Sequence, residues 1–496
     1  TPLYSSAASD VYKRQVMEEI KKRIESDSIG EKEVPVDAYY GVQSLRGKEN
    51  FHITGRHIHP EMIVALAEIK KACAITNQQS RLMSKEKEDA IAKACDMIIE
   101  GKYHDQFICD AIQGGAGTTA NMNANEVIAN LANELMGGDL GTYDHVHPND
   151  DVNMCQSTND VYPTAGKIAA VKLVNKTIDQ LMDLINALEK KSIEFDDVIK
   201  MGRTQLQDAV PIRLGQEFHA YQSALRRDIR RIKKARDVLK VINMGSTAIG
   251  TGINVDVNYY VNITETLARV TGLSLKQADD MIDGTQNLDG VAFLSATIKT
   301  CAITLSKMSN DLRLMSSGPR TGFGEIILPA RQNGSSIMPG KVNPVIPEVA
   351  SQVAFSIIGN DMCITMAAEA GQLELNAFEP VMFYKLFESI ETLGNACETL
   401  RVNCVEGIVA DKERCKALLD NSVGMVTALV PHIGYKKSAA IAKEALKTGE
   451  SVTSIILRDN ILDQKEIDEI FNPFQLTKPG IAARELIQEK GDKEEE

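Results

Sequence analysis

The sequence has no positive charge to spare. Across 496 residues, 55 Lys and Arg stand against 68 Asp and Glu, a formal charge of −13. Such a chain is a poor electrostatic match for nucleic acid or an anionic membrane, so neither is an expected partner. A basic pocket for one small anion stays compatible with that balance. The chain also lacks an uninterrupted apolar run near the ~18 residues of a spanning helix. No basic-then-apolar leader opens it, so nothing directs export. Nine cysteines are scattered at 73, 95, 109, 155, 301, 363, 397, 404 and 415, without a Cys-x-x-Cys pair. An odd number of dispersed thiols in a long chain points to reduced, cytoplasmic residues rather than a disulfide framework. No Gly-x-Gly-x-x-Gly follows a strand and no Walker lysine motif occurs, which argues against nucleotide binding. No metal-ligand spacing is present. His145 and His147 form a close pair, and an exposed or capping role is expected for them, so no metal site is assigned.

What is present is helical. With 43% hydrophobic and 25% charged residues the composition is ordinary for a globular protein. The length implies two or three domains. Three segments repeat apolar residues at steps of three and four. Their seams run Ile168, Val171, Val174, Ile178, Leu181, Ile185, Leu188; then Phe218, Tyr221, Leu225, Ile229, Ile232, Ala235, Leu239, Ile242; then Val291, Leu294, Ile298, Cys301, Leu305, Met308, Leu312, Met315. The period predicts three helices, each longer than 25 residues, in a bundle expected to be shared between subunits. A fourth segment, 348–370, is apolar almost all round and is expected to be a helix buried on most faces. The expected division is a mostly helical N-terminal domain over 16–155, a central long-helix domain over 156–402, a small helical C-terminal domain over 403–485, and a solvated tail over 486–496. Residues 1–15 read as a non-native leader, with the native start expected near Met17. Within them, Asp-Val-Tyr-Lys-Arg-Gln back-translates to a sequence resembling a transposon end.

Polar loops carrying glycine, serine, threonine and asparagine sit at the expected helix ends: 113–126, 147–165, 202–211, 245–254 and 334–344. Together they offer Thr118, Ser157, Thr158, Asn159, Thr204, Gln205, Ser335, Ser336, Lys341 and Asn343. This is a set of neutral hydrogen-bond donors with one cation, suited to a small dicarboxylate. Taken singly, most such loops only cap helices. Gly-Ser-Ser-Ile-Met-Pro-Gly-Lys-Val-Asn-Pro, at 334–344, is poor material for a core and good material for a mobile lid, with Gly334 and Gly340 as hinges. Its serines have no His or Asp nearby to activate them.

At this loop the sequence is identified as a member of the fumarase/aspartase superfamily. Gly-Ala-Gly-Thr-Thr at 115–119, Cys-Gln-Ser-Thr-Asn-Asp at 155–160, Gly-Arg-Thr-Gln at 202–205 and Gly-Thr-Gly-Ile-Asn at 250–254 resemble its other active-site segments, in order. The resemblance runs from residue 30 to residue 480. Segments 341–349 and 371–382, with Cys155 and Gln205, are closer to the aspartase branch than to class II fumarases, which remain the alternative. The resemblance implies a mainly α, three-domain fold with a long central bundle, twenty helices in a homotetramer, and active sites shared by three subunits. It implies reversible elimination of ammonia from L-aspartate, giving fumarate, through an aci-carboxylate carbanion. Ser335 would abstract the proton as an oxyanion. Thr118, Ser157, Thr158 and Ser336 would hold the carbanion oxygens. Lys341, Asn343 and Thr204 would hold the α-carboxylate, and Asn159 and Gln205 the ammonium. No cofactor is implied as required; activation by a divalent metal such as Mg²⁺ is left open. The His-Pro-Asn-Asp stretch at 147–150 resembles a secondary anion site of related fumarases.

Overall fold

The computed structural model describes residues 21–487. The leader expected at 1–15 lies outside them, as does most of the 486–496 tail. The chain is mainly helical. Among the described residues, strands form only four two-stranded sheets.

The apolar seams become long helices: Thr158–Glu194, Leu214–Val238 and Asp289–Met315. Every seam residue of the first and third is buried. The second runs 25 residues and stops at Val238, shorter than the period suggested. Ile242 is buried, but in a two-residue strand, because the chain turns out of the helix at 239–240. A buried apolar residue at helical spacing therefore overran the true helix end. The Asp289–Met315 helix is long and apolar enough to cross a bilayer by length and composition alone. One stripe of it, from Val291 to Met315, is buried, while Phe293, Ile303 and Leu314 are exposed and Lys299, Lys307 and Asp311 lie off the stripe.

The fourth helix, Val345–Glu369, corrects a second expectation. Only one side of it is buried, through Ala350, Ala354, Ile357, Ile364 and Ala367. Phe355, Met362 and Met366 are 63%, 62% and 64% exposed. All-round hydrophobicity in this chain thus leaves an open apolar stripe.

Contacts group the chain into two units, each assembled from three stretches. One comprises residues up to 177, 231–299 and 356–392; the other comprises 178–230, 300–355 and 393 onward. In the first, Thr177 Oγ1 donates to the Ile390 carbonyl at 2.9 Å and Ser295 Oγ to Asp361 at 2.7 Å, tying long helices side by side. In the second, Tyr221 donates to Asp311 at 3.0 Å and Ser306 to Ser351 at 3.3 Å. The C-terminal stretch has its own apolar cluster, which includes Leu429, Ile441, Ile455, Ile456 and Ile470.

Candidate active site

The first unit carries two helix N-termini from the polar loops. One begins at Thr118, in the Thr118–Leu135 helix. Gly115, Ala116 and Gly117 lead into it with φ of 83°, 55° and 88°. Gly117 is required twice: its φ is left-handed, and a Cβ there would lie 2.3 Å from the Tyr162 ring. The other N-terminus is that of Thr158–Glu194. Asn121 Nδ2 connects the two, donating to Thr158 Oγ1 at 3.1 Å and to Asn153 Oδ1 at 3.2 Å. Asn153 Oδ1 also accepts from Lys70 Nζ at 2.9 Å, and Lys70 donates to Gln156 Oε1 at 2.8 Å. Burial pushes the Lys70 ammonium down to about 8. Two helix N-termini and a buried ammonium favour a bound anion in this region.

Hydrogen bonds assign the hydroxyl protons. Thr158 Oγ1 accepts from Asn121, and Ser157 Oγ accepts from the Asn159 backbone N–H at 3.2 Å. Each hydroxyl keeps its proton to donate outward, as a carboxylate requires. Thr118 differs: its hydroxyl already donates to the Gly115 carbonyl at 2.7 Å. Asn159 donates its amide to the Ala248 carbonyl at 2.7 Å. Thr118 also lines a cavity of about 420 Å³ with Arg46, Asn50, His147 and Asn149. His147 caps the short Pro148–Val152 helix through Nδ1, consistent with the capping role expected of it.

The second unit carries the other two loops. Residues 202–211, expected as a loop, contain a hairpin tip: strands Ile199–Thr204 and Gln207–Arg213 pair through Thr204 opposite Gln207. Gln205 and Leu206 make the turn, with φ of 55° and 62°. Such a turn favours Asn-Gly. Two side-chain-bearing residues there cost roughly 1–2 kcal/mol each. The hairpin base is anchored in a buried ion cluster. Arg203 donates to Glu325 at 2.7 Å and lies 4.1 Å above the Phe323 ring; Lys200 meets Glu217 at 2.9 Å and Glu325 at 3.0 Å. The exposed tip presents Thr204 and Gln205.

The 334–344 loop is held by three clasps. Gly334 N–H donates to the Lys341 carbonyl at 2.8 Å, Asn343 Nδ2 to the Gly334 carbonyl at 2.7 Å, and Lys341 N–H to the Met338 carbonyl at 3.3 Å. A Cβ on Gly334 would lie 2.4 Å from that Lys341 oxygen, so this glycine permits a close approach. Gly340, at φ 81°, sits in open space. Ser335 Oγ accepts backbone N–H bonds from Ile337 at 3.2 Å and Met338 at 3.0 Å. Two donors aimed at one serine oxygen favour its ionised form. Ser336 and Lys341 are exposed on the same loop.

Thus Thr118, Ser157, Thr158 and Asn159 share one unit, whereas Thr204, Gln205, Ser335, Ser336, Lys341 and Asn343 belong to the other. Sequence reading missed Lys70, Asn121, Asn153, Asp160 and Glu325, which support the loops. Asp160, Asn121 and Asn153 stood inside loops the sequence had singled out; Lys70 and Glu325 had no local signal. A second feature marks the same loops. Of twelve non-glycine residues with positive φ among the described residues, Ala116, Cys155, Gln205, Leu206, Thr247 and Asn254 lie in four of the five loops. Backbone strain of this kind concentrates at functional sites.

Comparison with known proteins agrees. The family described as Lyase matches residues 30–359, and the Fumarase C C-terminus matches 425–478. The aspartate ammonia-lyase of Bacillus subtilis is 53% identical over 94% of this chain and 98% of its own length. That of Escherichia coli is 46% identical over 94% and 98%. Among solved structures, a fumarate lyase:delta crystallin from Brucella melitensis superposes with a TM-score of 0.91 at 48% identity, over 92% of this chain and all of the other. A class II fumarase from Schistosoma mansoni gives 0.89 at 36%, with the same coverage. With family models, relatives and fold in accord, the chain belongs to the fumarase/aspartase superfamily of lyases.

Proposed function

We propose that this protein is an aspartate ammonia-lyase, interconverting L-aspartate with fumarate and ammonia. The observation that carries the reading is Ser335 Oγ held by two backbone N–H groups on an exposed loop with Lys341. Relatives bearing that name, 46–53% identical across most of the chain, support aspartate over malate as substrate.

The proton beside the β-carboxylate is very weakly acidic, so the carbanion must be stabilised as it forms. Ser335, as an alkoxide, takes this proton from Cβ. The electron pair moves onto the β-carboxylate as an aci-carboxylate, whose oxygens receive the outward protons of Ser157 and Thr158, with Thr118 and Ser336. The pair then returns to form the double bond, the Cα–N bond breaks, and the nitrogen departs with its electrons. Lys341, Asn343 and Thr204 hold the α-carboxylate; Asn159 and Gln205 hold the amine. The amine leaves already protonated, so no strong general acid is needed. Thr118 must release Gly115 to take part, and closure of the 334–344 loop excludes water.

The site residues divide between two units, and the open stripe of Val345–Glu369 calls for a partner. The stripe supports self-association, and family membership supports a homotetramer whose active sites are shared by three subunits. The nine free thiols suit a reducing, cytoplasmic setting.

Fumarate absorbance should rise with L-aspartate and stay flat with L-malate and argininosuccinate. Turnover of malate in preference to aspartate would replace this reading with class II fumarase. Activity should elute as an oligomer; an active monomer would sink the shared-site arrangement.

A further inference from the structure

We propose that Asp160 and the glycine-rich 245–254 loop form a positioning device that turns the Asn159 amide oxygen toward the amine of the substrate. The inference rests on the ammonia-lyase reading and deepens it.

Asn159 fixes the argument. Its amide lies 2.7 Å from the Ala248 carbonyl oxygen. A carbonyl only accepts, so the atom facing it must be Nδ2, and Oδ1 is left pointing elsewhere as an acceptor. An acceptor complements N–H donors, which ammonia and an α-ammonium supply. Were Ala248 to move, the amide could rotate and present its donors instead, which repel an ammonium.

The loop carrying Ala248 is built not to move. Asp160 is wholly buried and sits one residue beyond Asn159. Its Oδ2 accepts from Gly245 N–H and Thr247 N–H, both at 3.1 Å, while Oδ1 accepts from Ser157 N–H at 2.9 Å. One carboxylate therefore binds the loop to the residues beside Ser157. Asn243 adds a second tie, donating to the Asn159 carbonyl at 3.1 Å and to Thr285 Oγ1 at 3.1 Å. Within the loop, Thr247 Oγ1 donates to the Ile253 carbonyl at 3.2 Å, and Thr247 itself is left-handed at φ 54°. Gly250, at φ 100°, packs so closely that a Cβ would lie 2.4 Å from Ile282 Cα. These glycines serve tight packing around one carbonyl, which explains a glycine-rich stretch that opens no nucleotide site.

The test uses the amination direction, with the KM for ammonia and the KM for fumarate measured separately. Asp160→Asn is expected to raise the ammonia KM ~10-fold while the fumarate KM stays within ~2-fold, the signature of one misplaced amine contact. Asn159→Ala should show the same split. The double variant should be no worse than Asn159→Ala, because the two act through one contact. Should Asp160→Asn fail to fold, Ala248→Gly decides: the residue is exposed, and loosening its carbonyl should raise the ammonia KM selectively by ~3-fold. Equal shifts in both KM values, or fully additive effects, would overturn the positioning role alone. A wild-type enzyme unable to aminate fumarate would overturn both this inference and the function on which it rests.

Discussion

The helix ends around Ser157 and the 334–344 loop are built on opposite plans. Around Ser157, Thr158 and Asn159, the buried Asn121, Lys70 and Asp160, with the half-buried Asn153, support the residues expected to meet substrate. The Ser335 loop is exposed, held mainly by its own backbone, and bears Ile337 at 83% exposure. The difference teaches a division of labour. Donors that stabilise developing charge act best when preorganised, because reorganisation then costs nothing during reaction. A base that must also exclude water has to arrive with a lid, and a lid needs low local stability.

The sharpest way to break this comparison is at the base. Ser335→Ala should lower kcat by about 10³-fold in steady-state assays while leaving the KM for aspartate nearly unchanged. Near-normal turnover would remove Ser335 from the chemistry. Lys341→Ala should reduce kcat/KM by about 10²-fold, mostly through KM, if it makes the charge-assisted carboxylate contact proposed for it.

Two glycine substitutions separate rigid from mobile. Gly117→Ala drives a Cβ into the Tyr162 ring at a left-handed position and should destabilise the fold by about 2–4 kcal/mol, visible as a lower Tm. Gly334→Ala meets the Lys341 carbonyl and the Asn343 nitrogen, both backbone of its own loop, so it should lower kcat by ~10-fold without moving Tm. Equal Tm losses would mean that the loop is part of the rigid frame.

The smallest effect concerns Asp160. Burial raises its carboxyl to about 7 from 3.8, although N–H bonds from Ser157, Thr247 and Gly245 and the nearby Lys70 charge pull it back. The folded chain therefore retains a proton that the unfolded chain releases between about pH 4 and pH 7. Stability contributed by this group is present at low pH and falls as pH rises through that window. Asp160→Asn cannot titrate, so its Tm should gain on the parent between pH 5 and pH 7.5. A constant Tm difference would indicate that Asp160 stays ionised throughout.

Much of the fold was legible because helical periodicity is local. The seams from Ile168 to Leu188 and from Val291 to Met315 are buried as their spacing requires. Legibility failed where a pattern had two outlets. Ile242 is buried in a strand rather than a helix, and Phe355, Met362 and Met366 face outward although their composition promised burial. Hydrophobicity specifies removal from water and not which surface does the removing.

The candidate site divides in the same way. Linear motifs by themselves determined the family, the polar loops, and the residues suited to a dicarboxylate, because chemistry needs particular side chains and those are written in order. Only the tertiary structure decided which hydroxyls keep a proton to donate, that Gln205 stands on a strained hairpin turn, and that Asp160 ties Gly245 and Thr247 to Ser157. Those outcomes depend on hydrogen bonds between residues up to 87 positions apart in the chain. Direction and distance across such separations are properties of the packed chain, and no local pattern encodes them.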